Sequence, residues 1–317
     1  MKQFAGRILT VFSTLTILLT FANCEQRELC YDHSHNSLVS ITFDWSLAPE
    51  ARPSTMVVWF FPVDGGKGTR YELTHNGARS GTDFNTTVKV APGSYRIVSH
   101  NGDTDNEERG HSFYDYEIFT AEDNILGPLN RPDRAPRPDD TDNQPIRSEA
   151  STLYACTYDG TVTVEPSAAQ ATEIVLTPRE VTSVWDIRIT GVANLSNGIE
   201  ASAVVTGVAE CWNPASGHPG GTEVIVPFPL HACAADCLRG SVVLFGDNAP
   251  HDVRHKLRVY TSYMYYYDFD ITDQVHAAAG NRHVEIRVNG MDLPQTGDGM
   301  GTGVTDWEDA ENEEIKM

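Results

Sequence analysis

Val39-Ser40-Ile41-Thr42-Phe43-Asp44-Trp45 places an apolar side chain at every second position, with Ser, Thr or Asp between. Successive side chains of an extended chain leave it on opposite sides, so this period of two predicts a strand with one face buried and one in water. The same period recurs at Val162 and Val164, at Ile187 and Ile189, and at Val284, Ile286 and Val288, each set alternating with polar residues. Met56 to Phe61 is instead continuously apolar and stops at Pro62. That predicts a central strand covered on both faces, ended by a residue that cannot donate to the ladder. Further strands are predicted near residues 94–100, 153–158, 172–177, 201–209, 240–245 and 257–269.

Asp64-Gly65-Gly66, Pro92-Gly93, Asp159-Gly160, Asn197-Gly198 and Pro219-Gly220-Gly221 read as hairpin or loop tips between these runs. Only 270–279 reads as a helix, with Asp270 as its cap, Val275 and Ala279 on one face and Gly280 in the left-handed position after it. Many short strands with turn signals between them predict a mainly-β protein of two tandem antiparallel β-sandwiches. The boundary is placed at Pro178 to Val181, giving an N-terminal sandwich over 24–178 and a C-terminal one over 179–317. Residues 121–150 carry five prolines, several Asp and Arg residues and few apolar side chains. They are expected to form a mobile loop or an inserted linker, open to trypsin-like cleavage at Arg131, Arg134 and Arg137. The last residues, 294–317, begin Gly-rich and end acidic, yet Trp307, Ile315 and Met317 predict a closing edge strand there.

The composition is globular: 317 residues, 40% hydrophobic and 21% charged. Its 23 Lys and Arg stand against 44 Asp and Glu, a formal charge of −21, which argues against a nucleic-acid partner. Lys2 and Arg7 precede an uncharged, mostly apolar run from Ile8 to Phe21, followed by Ala22-Asn23-Cys24. As a helix that run spans about 21 Å, short of a bilayer core of about 30 Å, so residues 1–23 read as a signal peptide. A cysteine directly after the apolar run reads as a lipidation site, making Cys24 the anchored first residue of the mature chain. Ordinary cleavage, with Cys24 as a structural thiol, is the alternative.

Five cysteines then remain in an oxidising envelope: Cys30, Cys156, Cys211, Cys233 and Cys237. Cys211, Cys233 and Cys237 cluster and predict a loop-stapling disulfide, without indicating which two pair. His231-x-Cys233-x3-Cys237 could also be half of a zinc site, but its spacing is not that of a zinc finger, and no metal is assigned. Asp32, His33 and His35 lie close together, and Asp103, Asp105, Asn106, Glu107 and Glu108 offer oxygen ligands without the glycine and distant glutamate of an EF-hand. A local cap and a solvated hairpin tip account for them. Tyr263, Tyr265 and Tyr267 on one strand face, with Met264 and Tyr266 on the other, fit a sandwich core with an amphipathic rim, or a platform for stacking sugars. No nucleophile elbow, zinc-protease helix, P-loop or dinucleotide fingerprint occurs, so no catalytic residue and no cofactor is assigned.

Arg27-Glu28-Leu29-Cys30-Tyr31-Asp32-His33, Phe43-Asp44-Trp45, Pro92-Gly93-Ser94-Tyr95-Arg96 with Asn101, Leu153-Tyr154 and Phe269-Asp270-Ile271-Thr272-Asp273-Gln274-Val275 span nearly the whole mature chain. Through them the protein resembles a family of Bacteroidetes lipoproteins related to the fimbrillins and fimbrium-anchor proteins. The resemblance implies transthyretin-like sandwiches, attachment to the outer membrane through lipid on Cys24, and a role in building or tethering surface fimbriae or in adhesion. Glu25 and Glu28 resemble the acidic surface-export signal of such lipoproteins. Partners are then fimbrial subunits or another surface protein, met by accepting or donating a strand at an open sheet edge. No enzyme is implied. The competing expectation is a glycan-binding outer-membrane lipoprotein of a polysaccharide-uptake system, motivated by the tyrosine run.

Overall fold

The computed structural model describes residues 36–74, 86–131, 135–166, 170–195, 199–247 and 252–293, and the backbone of 312–314. The signal peptide, Cys24, Cys30, the Asp32 to His35 cluster, Arg134, Asn197-Gly198, Trp307, Ile315 and Met317 lie outside the described residues.

The first half contributes β1 (Ser37–Phe43), β2 (Thr55–Pro62), β3 (Thr69–Thr74), β4 (Thr86–Val90), β5 (Gly93–Asn101), β6 (Glu107–Arg109), β7 (Glu117–Phe119), β8 (Tyr154–Thr157), β9 (Val162–Val164), β10 (Thr172–Leu176) and β11 (Arg179–Glu180). A three-stranded sheet runs β10-β1-β4, and a larger one runs β11-β8-β5-β2-β3 with β9 also on β5. Val39, Ile41 and Phe43 from the first sheet meet Met56, Val58, Phe60 and Ile97 from the second to form one apolar core. The alternation in β1 is the cause: its odd-numbered side chains are buried and its even-numbered ones lie on the outer face. β2 is buried on both faces, with Met56, Val58 and Phe60 in this core and Phe61 in another cluster behind the sheet. It ends at Pro62, as expected.

The second half contributes β12 (Ser183–Ala193), β13 (Ala201–Asn213), β14 (His218–Ala234), β15 (Cys237–Leu244), β16 (Lys256–Thr261), β17 (Tyr266–Asp270), the short helix α1 (Thr272–Ala277), β18 (His283–Asp292) and β19 (Asn312–Glu314). They run β18-β12-β15-β14-β13-β16-β17-β19 and fold over a core that includes Trp185, Ile187, Phe228, Val259, Phe269 and Ile286. The fold-over has a local cause. β14 pairs with β15 only from His231 to Ala234, whereas β15 goes on pairing with β12 as far as Leu244. Pro227 and Pro229, which have no N–H to donate, sit where that ladder stops and the two layers diverge. Gly240 lies at the crossing, where a Cβ would come within 2.7 Å of the Pro229 carbonyl oxygen. In both halves the first strand pairs in parallel with a late one, β1 with β10 and β12 with β18.

Four sequence expectations are corrected. Pro219-Gly220-Gly221 lies inside β14, the longest strand, and the turn before it is at 214–217. Gly221 adopts a φ of +81° opposite the irregularity between Ala209 and Cys211, where a Cβ would meet Glu210 at 2.9 Å. The predicted strand 257–269 is a hairpin, β16 and β17, turning through Met264 at φ +66°. The helix is shorter than predicted; the Asp270 carboxylate accepts from the Thr272 N–H and Gly280 takes φ +81° beyond its end.

The fourth concerns 121–150. Its described residues lie packed on the second sheet: Ile125, Leu126 and Leu129 bury against Val204, Ile225 and Tyr260. Ile146 bridges to Ile225, and the hairpin β6-β7 just before the segment joins the same sheet through β13. A few apolar anchors suffice to dock a chain whose composition reads as linker. β11 pairs with β8 just past residue 178, and Phe61, Val98, Tyr116, Leu153, Trp212 and Phe245 form a cluster shared by the two halves.

Candidate functional site

The sheet β10-β1-β4 has two outer edges, β10 and β4, each paired only with β1 among the described residues. Soluble proteins usually blunt such edges with short strands, charged residues (lysine above all), proline or bulges, and β10 has one such charge, Glu173. β4 carries Lys89 on its outer face, but β10, Thr-Glu-Ile-Val-Leu, has no lysine, proline or glycine. The Asp44 N–H donates to the Leu176 carbonyl at 2.8 Å, so Leu176 and Ile174 turn their backbone groups toward β1. Glu173 and Val175 therefore direct theirs outward. Val175 is 56% exposed and Leu38, on the same sheet face, 46%. Among the described residues this edge combines an unpaired backbone ladder with one exposed apolar side chain, Val175, the two features that strand addition uses.

The tyrosine run does not form a continuous platform. Tyr267 is buried and Tyr265 packs on the second core, while Met264 and Tyr266 face the docked 121–150 segment. Only Tyr263, at the hairpin tip, is exposed. The Asp103 cluster is dispersed among structural partners. Asp103 accepts from the Ser54 N–H at 2.6 Å and from its hydroxyl at 3.0 Å, and Asn106 bonds with Ser151. Glu108 points elsewhere, accepting from the Trp59 indole at 2.8 Å, the Tyr116 hydroxyl at 2.9 Å and Arg70 at 3.2 Å. Burial pushes the Glu108 pKa up, but nearby His100, those hydrogen bonds and Arg70 together hold it below the ordinary carboxylate value. His100, buried beside it, is held below the usual imidazole range by desolvation.

Of the three clustered cysteines, Cys233 and Cys237 form a disulfide across the β14-β15 turn and Cys211 is a buried free thiol. The disulfide leaves neither of its sulfurs as a thiolate ligand, and burial pushes Cys211 up to about 12. His231 and His218 are both exposed. Because the bridge closes a loop with a sequence separation of 4, its removal is expected to cost about 2 kcal/mol on a chain-entropy basis. Urea denaturation of Cys233→Ser/Cys237→Ser against the parent checks this.

Sequence spacing carries no signal for one further grouping. Asp247, His255 and His276 come from separate elements, and their ligand atoms all lie within 4.8 Å of one another. Among the described residues no helix is long and apolar enough to cross a membrane.

No curated protein matches the chain in sequence. Among solved structures it is similar to a candidate adhesin of Bacteroides ovatus, with a TM-score of 0.60 and 16% identity over 86% of this chain and 98% of that one. A candidate adhesin of Bacteroides thetaiotaomicron gives 0.53 and 10% identity, over 81% of this chain and 92% of that one. A candidate polysaccharide-binding protein of the same species gives 0.51 and 11%, over 80% and 90%. At these identities the likeness concerns the fold alone. Residues 23–229 match the family described as a domain of unknown function, DUF5119, and this protein belongs to that family.

Proposed function

We propose that the protein is a cell-surface module with a structural, anchoring or adhesive role in fimbriae, held to the outer membrane by lipid on Cys24. The observation that carries the reading is the outer β10 edge, unpaired among the described residues, and the fold supports it. A partner strand from a fimbrial subunit or another surface protein adds to β10, its backbone pairing with Glu173 and Val175 and an apolar side chain covering Val175. We assign no catalytic role. The buried and divided tyrosine run gives the glycan-binding alternative no platform.

Val175→Pro tests the edge. It removes an N–H that faces away from β1, so the sheet keeps its internal pairing while the free edge loses a donor. Binding to purified fimbrial subunits is expected to fall at least about tenfold, equivalent to about 1.4 kcal/mol, with thermal stability little changed. Unchanged binding would show that the edge is not the docking surface. The anchor is tested separately, by protease treatment of intact cells carrying the wild type or Cys24→Ala. Digestion of a membrane-bound wild type, with the variant lost from the membrane, is the expected result.

A further inference from the structure

We propose that Asp247, His255 and His276 form a binding site for a divalent transition-metal ion of the zinc class, tying the β15-β16 connection and α1 to the second core. His255 is fully buried, and its backbone is held on both sides. Its N–H donates to the Thr272 hydroxyl at 2.9 Å, and its carbonyl accepts from the Ile271 N–H at 3.0 Å. Ring Nδ1 lies 3.0 Å from the Thr206 carbonyl oxygen. A carbonyl only accepts, so Nδ1 carries a proton toward it, and Nε2 is the ring nitrogen left to face the cluster. Metal-binding histidines are oriented in this way, by a carbonyl on the nitrogen that does not ligate.

The backbone of β13 is shaped for that contact. Its register shifts between Val205 and Val208, and Gly207 adopts a φ of +73°. A Cβ at Gly207 would come within 2.8 Å of the Arg254 carbonyl oxygen and 3.1 Å of His255 Nδ1. The bulge therefore admits the chain carrying His255 and turns the Thr206 carbonyl onto the ring.

Nε2 faces a carboxylate oxygen. Nε2 lies 3.3 Å from Asp247 Oδ1, and no hydrogen bond reaches either atom. Two buried polar atoms left without hydrogen bonds call for a cation between them, either a proton or a metal ion. A four-coordinate ion with bonds of about 2.0–2.1 Å holds its ligand atoms about 3.3 Å apart, so this pair is already spaced for one. The His276 ring stands edge-on to His255 at 5.4 Å between centroids, with its ligand nitrogen inside the same cluster. Two imidazoles and one carboxylate suit zinc-class ions and leave a fourth position open. Asp247 also lines a cleft of about 400 Å³, which supplies a path for the ion.

The test is titration of the chelator-treated full mature chain with Co2+ and then Zn2+. Stoichiometric Co2+ binding with the visible bands of a four-coordinate ion, bleached by Zn2+, is expected, together with a rise in melting temperature. His255 is buried in the core, so its replacement tests folding as much as binding; Asp247 and His276, both partly exposed, carry the test. Asp247→Asn and His276→Gln are each expected to weaken Co2+ binding more than about 100-fold, beyond the loss typical of orienting partners. His231→Gln is expected to leave it unchanged. Absence of stoichiometric binding, or binding that survives the Asp247 and His276 variants, overturns the proposal. So does nitrogen NMR showing His255 protonated on both ring nitrogens at neutral pH with metal in excess, since a proton would then fill the cation's role.

Discussion

Arg258→Ala is expected to destabilise the protein by about 3–5 kcal/mol and to open the 121–150 segment to trypsin. Arg258 is 1% exposed in the middle of β16, with its guanidinium bonded through two nitrogens to the Asp268 carboxylate. It also lies 4.3 Å above the Tyr266 ring and donates to the carbonyls of Pro136 and Arg137 at 3.3 and 2.7 Å. Alanine leaves Asp268 without its partner and removes the donors that hold the docked segment, so core stability and local protection fall together. Among the described residues the docked segment is also tied to β16 by the Tyr260 hydroxyl on Pro136 at 2.6 Å and by Lys256 on the Asp139 carbonyl at 3.0 Å. Arg131 and Arg137 precede prolines and resist trypsin, so cleavage is expected after Arg134 and Arg147, slow in the parent and fast in the variant. Arg258→Lys keeps the charge but cannot form the paired geometry, and recovers only part of the loss. A urea midpoint within error of the parent, or an unaltered digestion pattern, would refute this account of the docking.

Glu210→Gln is expected to cost about 3 kcal/mol, the low end of the range for breaking a buried ion pair because Arg109 is 37% exposed. Glu210 itself is 7% exposed and accepts from Arg109 at 3.2 Å, from Arg147 at 2.8 Å and from the Thr222 hydroxyl at 3.2 Å. It joins the hairpin β6-β7, the end of the 121–150 segment and β13. Burial raises its pKa, but hydrogen bonds from Arg109, the Thr222 backbone and Arg147 outweigh this and bring it to about 2, from an ordinary 4.5. A folded value below the unfolded one means that the contribution is fully present above 4.5 and is lost as pH falls from there toward 2. The parent is therefore expected to lose stability across that window faster than the variant, the two curves converging at the acid end. Parallel curves in acid denaturation would show that Glu210 is not the group responsible.

The strand pattern was legible because its cause is local. Alternation in β1, the apolar run of β2 and the proline that ends it depend only on which side of an extended chain each residue leaves. β14 was hidden because Pro219, Gly220, Gly221, Pro227 and Pro229 are turn formers by composition. They are tolerated in a strand where a bulge lies opposite or where a partner strand has already departed, and only the fold shows either. The 121–150 segment reads as loop or linker for a related reason: Ile125, Leu126 and Leu129 are too few to mark an element, yet they bury because a matching surface of Val204, Ile225 and Tyr260 awaits them.

The mainly-β class, the near-limits of most strands and the absence of recognised catalytic motifs follow from the order of residues alone, since side-chain periodicity and motif spacing are properties of the chain before it folds. The pairing of distant segments sets which described strands lie at sheet edges, which two of Cys211, Cys233 and Cys237 join, and that Asp247, His255 and His276 converge. Each depends on pairings between segments tens of residues apart, and such pairings leave no period in the chain for a reader to find.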